Sequence, residues 1–122
     1  MAFEILIIDD NSDIRLILDE LITEAGYKTR MAANYNQALT EIDKKLPDVA
    51  IIDVKLDKGD NDGIELLTHI KKKNNDIPVI IISGHANIDM AVKSLKSGAF
   101  EFIQKPFDKD RLLNFIKRAI EN

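Results

Sequence analysis

The feature that most constrains this fold is a series of short apolar runs, each followed by a stretch with helical periodicity. Three of these runs, at residues 5–8, 49–52 and 79–82, are apolar at every position. Wholly apolar strands are typical of parallel sheets, in which both faces of the strand are buried. A weaker run at 28–32 predicts a more exposed strand, and a run at 99–103 completes the set.

Five amphipathic stretches follow these runs. The first has apolar residues at the spacing of one helix face: Ile14, Ile17, Leu18, Leu21, Ile22 and Ala25. The second and third begin at Asn34 and Asp62, and each has Gln or Glu three residues later, as in a capping box. The fourth presents an apolar face made of Ile88, Ala91, Val92 and Leu95. The fifth extends from Asp108 to residue 120.

A strand–helix unit repeated five times predicts an α/β fold, with a parallel sheet covered by helices on both faces. For five such units the doubly wound, flavodoxin-like strand order 2-1-3-4-5 is expected. No linker or internal repeat interrupts the pattern, so we expect residues 1–122 to form one domain.

Composition excludes several classes of protein. The net charge is -4 and the sequence pI is near 5.1, which argues against direct nucleic-acid binding. The absence of cysteine excludes disulfides and Cys nucleophiles, and it fits a reducing cytosol. The apolar run at 5–8 is too short for a signal peptide or a membrane span. We therefore expect a cytoplasmic domain that does not contact a membrane.

Polar residues follow four of the predicted strands. They are Asp9 and Asp10, Asp53, Ser83 and Gly84, and Lys105 and Pro106. In this architecture ligands bind at the carboxyl ends of the strands, near the switch point between the first and third strands. The sequence therefore predicts that three carboxylates, a hydroxyl and an ammonium meet at one pocket.

These residue types suit a site that binds phosphate with a metal ion. Clustered carboxylates repel one another, and Mg²⁺ relieves this repulsion while leaving coordination positions for a phosphate. Lys105 can neutralise phosphoryl oxygens, and Ser83 can donate a hydrogen bond to them. Taken singly, each residue has an ordinary explanation as a turn or surface residue. Their placement at successive strand ends favours a common site that accepts and holds phosphate.

With these residues the sequence resembles the CheY-like receiver domains of two-component response regulators over its whole length. The matching motifs are Asp9-Asp10, Asp53, Ser83-Gly84 and Lys105-Pro106-Phe107. The resemblance implies that Asp53 accepts a phosphoryl group from a sensor histidine kinase. It also implies a Mg²⁺ site made by Asp9, Asp10, Asp53 and the backbone carbonyl of Lys55.

The same resemblance implies a conformational switch. Ser83 would move to the phosphate, Lys105 would pair with it, and Phe102 would turn inward. The Lys105–Pro106 bond would be cis, as in receivers. The switch would reshape the face formed by the fourth helix, fifth strand and fifth helix, through which a phosphorylated homodimer is expected. Its charged residues would be Lys93, Lys96, Glu101 and Arg111.

The chain departs from many receivers in the segment between Asp53 and Gly63, which is longer and lacks their usual Pro. This polar segment and the motifs at residues 83–88 and 98–103 resemble the NtrX type within the NtrC group. That resemblance implies a nitrogen-related transcriptional output, with an ATPase domain and a DNA-binding domain beyond Asn122.

Three other functions fit parts of the pattern. An aspartyl-phosphate phosphatase of the haloacid dehalogenase type needs a second Asp two residues after the nucleophile, where this chain has Lys55. A flavodoxin-like module holds its cofactor phosphate in a hydroxyl-rich loop, where this chain has an acidic loop at 9–13. A stand-alone receiver that relays phosphate without an output domain fits the sequence as well as a transcription regulator does.

Overall fold

A computed structural model of the chain describes residues 2–59, 61–84 and 88–121. Strands and helices alternate along these residues. They are β1 (Glu4–Ile8), α1 (Ser12–Glu24), β2 (Lys28–Ala32), α2 (Tyr35–Lys44), β3 (Val49–Asp53), α3 (Asp62–Lys73), β4 (Val79–Ser83), α4 (Ile88–Lys96), β5 (Glu101–Gln104) and α5 (Lys109–Glu121). The fifth strand and fifth helix begin slightly later than the sequence predicts.

The described strands form one parallel sheet in the order β2-β1-β3-β4-β5, which confirms the predicted architecture. The apolar runs of β1, β3 and β4 form its buried centre. Alternate side chains of these strands point to opposite faces, so one continuous run supplies two cores. Ile5 and Ile7 pack with α1 and α5, whereas Leu6 and Ile8 pack with α2 and α3.

Two predicted helix starts have different outcomes. Asn34 caps α2, because its side chain accepts a hydrogen bond from the Gln37 amide at 2.8 Å. Asp62, by contrast, forms no capping box with Glu65. Asp62 is the first residue of α3, and its buried carboxylate accepts hydrogen bonds from the amides of Lys58 and Gly59. The prediction was wrong because the carboxylate binds the preceding loop.

Much of the apolar face predicted for α4 is exposed to solvent. Ile88, Val92 and Leu95 are 81%, 42% and 46% exposed, whereas Ser94 is fully buried. The helix instead faces the core with Ser94 and the partly buried Met90. Ile17 of α1 is likewise 51% exposed, although it shares the helical spacing of the buried Leu18 and Ile22.

Residues 85–87, part of the turn that carries the NtrX resemblance, lie outside the described residues, as do residues 1, 60 and 122. Within the described residues no helix is both long enough and apolar enough to cross a membrane.

Candidate functional site

The turn after β1 holds the first two acidic residues. Asp9 is fully buried, and its Oδ1 accepts a hydrogen bond from the Asn11 amide at 2.9 Å. Asn11 in turn caps α1, because its side-chain oxygen accepts from the amides of Asp13 and Ile14. Asp10, next to the buried Asp9, is exposed. The β1–α1 turn therefore fixes one carboxylate inside the protein and presents the other to solvent.

Asp53 ends β3 and is only 6% exposed. Its Oδ1 lies 3.4 Å from the Lys55 amide, and its Oδ2 lies 3.2 Å from the Lys105 ammonium. The first turn of α3 packs against the backbone of Asp53, since a Cβ added to Gly63 would lie 2.4 Å from the Asp53 carbonyl oxygen. Glycine at position 63 permits α3 to start directly beside the candidate phosphoacceptor.

Lys105 follows β5 and bridges two of the carboxylates. Its Nζ lies 2.9 Å from Asp9 Oδ2 and 3.2 Å from Asp53 Oδ2. Its amide donates to the Ser83 carbonyl at 2.8 Å, which ties the end of β5 to the end of β4. The Lys105–Pro106 bond is cis, as the receiver resemblance implies.

The electrostatics of the cluster follow from burial and from like charge. Burial and the neighbouring Asp9 carboxylate raise the pKa of Asp53, although Lys105 acts in the opposite direction. Burial alone would lower the pKa of Lys105. Its hydrogen bond to Asp9 and the charges of Asp53 and Asp9 outweigh burial, so the pKa of Lys105 is raised. Lys105 is therefore held in its charged form beside carboxylates.

The three carboxylates meet as predicted, because one oxygen each from Asp9, Asp10 and Asp53 lies within 4.8 Å of the others. A cavity of about 230 Å³ opens beside them, lined by Asp10, Asp53, Lys55, Leu56, Ser83, Gly84 and Lys105. The Lys105 ammonium contacts two of these carboxylates, those of Asp9 and Asp53. This all-oxygen donor set fits a hard divalent cation such as Mg²⁺, and it suits neither a softer metal nor a bare anion.

The structure places the other predicted residues as follows. Ser83, at the end of β4, is fully buried and lines the cavity. The exposed Lys55 lines the same cavity. Phe102 lies on β5 opposite Ile81 and packs partly buried against the core. Their roles in metal binding and switching remain predictions.

Sequence reasoning missed two residues that hold the β1–α1 turn: Asn11, the N-cap of α1, and Arg15, in the first turn of that helix. The Arg15 guanidinium donates to the Asp9 carbonyl at 2.7 Å. The pattern of an Asn before a helix signals a cap. The target of a long Arg side chain, however, depends on the path of the turn, which no local sequence signal specifies.

Comparison with known proteins agrees with this geometry. Residues 5–117 match the response regulator receiver domain family. The chain is 42% identical over 121 residues to the nitrogen assimilation regulatory protein NtrX of Azorhizobium caulinodans, a match that covers 99% of this chain and 27% of that protein. The chain thus spans about a quarter of the length of the NtrX and NtrX-like proteins it matches.

Two solved receiver structures have the same fold. The crystal structure of the receiver domain of NtrX from Brucella abortus has a TM-score of 0.89 at 40% identity and covers 97% of this chain and 98% of that one. A solution structure of a beryllofluoride-activated NtrC4 receiver domain dimer also has a TM-score of 0.89, at 36% identity, and covers 97% and 96%. With a family match over most of the chain and this cluster at its strand ends, the chain belongs to the response regulator receiver domain family.

Proposed function

We propose that this domain accepts a phosphoryl group on Asp53 from the phosphohistidine of a sensor histidine kinase. The observation that carries the proposal is the position of the Asp53 carboxylate. It lines an open cavity, it shares a cluster with Asp9 and Asp10, and the Lys105 ammonium lies 3.2 Å from it. A nucleophilic oxygen, a site for a divalent cation and a fixed positive charge are what phosphoryl transfer requires.

In the proposed reaction an Asp53 oxygen forms a bond to phosphorus as the P–N bond to the kinase histidine breaks, and the bonding electron pair stays on the histidine nitrogen. Asp9, Asp10, Asp53 and the carbonyl of Lys55 would hold Mg²⁺. When bound, Mg²⁺ would neutralise negative charge on the phosphoryl oxygens. Lys105, which bridges Asp9 and Asp53, would pair with the phosphate. The acyl phosphate would later hydrolyse slowly to inorganic phosphate, so the domain stores a signal.

The stored phosphate would act as a switch. Ser83 lines the same cavity, and its hydroxyl would turn to a phosphate on Asp53. Phe102, which lies partly buried on the adjacent strand, would then move inward. Phosphorylation can shift an equilibrium between two states only through its differential affinity for them. The Ser83–phosphate hydrogen bond would provide that difference.

The similarity to NtrX and NtrC regulators supports a nitrogen-related transcriptional output, exerted in the cytoplasm through domains beyond Asn122. The activated NtrC4 receiver neighbour is a dimer, and here the exposed Ile88, Val92 and Leu95 offer an apolar surface on α4. We propose that phosphorylation promotes dimerisation through the α4–β5–α5 face, with Lys93, Lys96, Glu101 and Arg111 contributing charge pairs.

The primary test is phosphorylation by acetyl phosphate. With Mg²⁺ the protein should gain one phosphoryl group, measured by intact-mass spectrometry, and it should gain none when the metal is chelated. Asp53→Asn should remain unmodified, whereas Asp57→Asn, in the nearby loop, should be modified like the parent. Equal modification of the Asp53→Asn protein would disprove the assignment.

Dimerisation is tested separately by sedimentation with and without beryllofluoride. The sedimentation coefficient of the parent should rise with the mimic, and Val92→Asp on α4 should reduce the rise. The exposed Leu16 of α1 offers a matched control, since Leu16→Asp should dimerise like the parent. If both variants dimerise equally, the α4 face is not the interface.

A further inference from the structure

Several hydrogen bonds besides those of the Asn11 cap hold the turn that joins β1 to α1. The Asp9 amide donates to the Ala32 carbonyl at 3.2 Å, and the Asp9 side chain accepts from the Asn11 amide. The Asp9 carbonyl oxygen accepts from Arg15 Nη1 at 2.7 Å. Amide, side chain and carbonyl of this buried aspartate are therefore all fixed.

The bond from Arg15 has a consequence beyond Asp9. The carbonyl of Asp9 belongs to the peptide plane that leads to Asp10, so fixing its oxygen also fixes the direction in which the chain enters Asp10. Asp10 is exposed, and its carboxylate oxygen lies within 4.8 Å of those of Asp9 and Asp53. An exposed side chain loses conformational freedom when it binds a metal, and a fixed backbone reduces that loss.

We infer that Arg15 is a positioning residue for the cation site, because it holds the Asp9–Asp10 peptide in the orientation that places both carboxylates for Mg²⁺. This inference rests on the proposed function, which requires a cation at this cluster. Arg15 itself does not enter the coordination shell, since a guanidinium is always protonated and has no lone pair to offer a metal. It acts through the backbone.

The charge of Arg15 makes the inference testable, because two explanations of its role predict opposite changes in Mg²⁺ affinity when Arg15 is replaced. If Arg15 were only a nearby positive charge, its removal would relieve repulsion of Mg²⁺ and raise the affinity. If Arg15 positions the ligands, its removal lowers the affinity. Loss of a group that orients metal ligands typically costs about tenfold or more in metal affinity.

The experiment is a calorimetric titration of Mg²⁺ into the parent, Arg15→Met, Arg15→Lys and Lys117→Met. Methionine keeps a long helix-compatible side chain but has no donor. Lysine keeps the charge and one donor group, so it should restore part of the affinity. Lys117 is exposed on α5, so its replacement removes the same charge without touching the turn. We expect Arg15→Met to bind Mg²⁺ about tenfold more weakly, Arg15→Lys to lie between, and Lys117→Met to match the parent.

Amide chemical shifts of Asp10 and Asn11 in metal-free protein provide a second measurement, and they should move in Arg15→Met and not in Lys117→Met. Mg²⁺ affinity of Arg15→Met equal to or above that of the parent would overturn the inference while leaving the proposed function intact. Failure of the parent to bind Mg²⁺ would overturn both.

Discussion

Helices α3 and α4 pack on the same face of the sheet, and both have amphipathic sequences. The apolar residues of α3 are buried, and Leu66, Leu67 and Ile70 are fully so. Ile88, Val92 and Leu95 of α4 are exposed, and the residue that α4 buries completely is Ser94, whose hydroxyl donates to the Met90 carbonyl of the same helix. Helix α3 therefore contributes several side chains to the core, whereas α4 buries little apolar surface against it.

The difference fits the proposed switch. Helix α3 begins against the backbone of Asp53, the proposed phosphoacceptor. Helix α4 follows Ser83 along the chain, and in the proposed switch Ser83 moves. A helix that buries little apolar surface loses little when it shifts, and such elements belong to the less stable parts of a fold. The exposed apolar face of α4 is then available to a partner.

The largest expected effect is on packing. Leu67→Ala should lower the free energy of unfolding by about 2–5 kcal/mol, because it leaves a cavity in the core beneath α3. Val92→Ala on α4 should change it by no more than about 0.5 kcal/mol. Urea denaturation of the two variants compares the helices directly. A similar loss in both would mean that α4 is as firmly packed as α3.

The close approach of α3 to Asp53 provides the next test. Gly63→Ala places a Cβ 2.4 Å from the Asp53 carbonyl and 2.6 Å from the Val54 Cα, both backbone atoms that cannot rotate away. We expect a loss of about 1–3 kcal/mol and slower phosphorylation of Asp53. Gly59→Ala is the matched control, because its nearest neighbour is Asp62 Oδ1 at 3.8 Å. Unchanged stability of Gly63→Ala would show that α3 is not anchored there.

The charge of the Asp53 carboxylate, at the end of β3, should destabilise the folded protein. The pKa of Asp53 is raised in the folded state, so folding favours its protonated form. Ionisation of Asp53 therefore lowers the free energy of unfolding as the pH rises from the pKa of Asp53 in the unfolded chain to its raised pKa in the folded state. Above the folded-state pKa this destabilisation stays constant. Asp53→Asn leaves Lys105 paired with Asp9 and should gain about 0.5–2 kcal/mol near neutral pH in metal-free buffer.

The gain from Asp53→Asn should shrink as the pH falls through the same window, because the parent carboxyl then becomes neutral as well. Urea denaturation at a series of pH values measures this trend. A gain that is independent of pH would show that the effect comes from packing rather than from charge.

The same comparison shows where sequence reasoning succeeds and fails. The wholly apolar runs specified β1, β3 and β4, because four apolar residues are too few for a buried helix and suit a strand buried on both faces. The carboxyl ends of the predicted strands then indicated the candidate site. For α4 the spacing of Ile88, Val92 and Leu95 showed that they share a face, but periodicity cannot show whether that face meets the core or solvent. The bonds of Asp62 and Arg15 depend on loop paths set by the folded structure.

The smallest expected effect is the coupling energy of a hydrogen bond between α4 and the N-cap of α3. Lys93 of α4 donates to the side chain of Asn61, the N-cap residue of α3, at 3.2 Å, and both residues are exposed. Solvent competes for such a bond, so a double-mutant cycle with Lys93→Ala and Asn61→Ala should give a coupling energy of about 0.2–1 kcal/mol. Beryllofluoride should lower this coupling if α4 moves on activation. A coupling above about 1.5 kcal/mol that is unchanged by the mimic would show that α4 is held to the start of α3, and the proposed mobility of α4 would then be wrong.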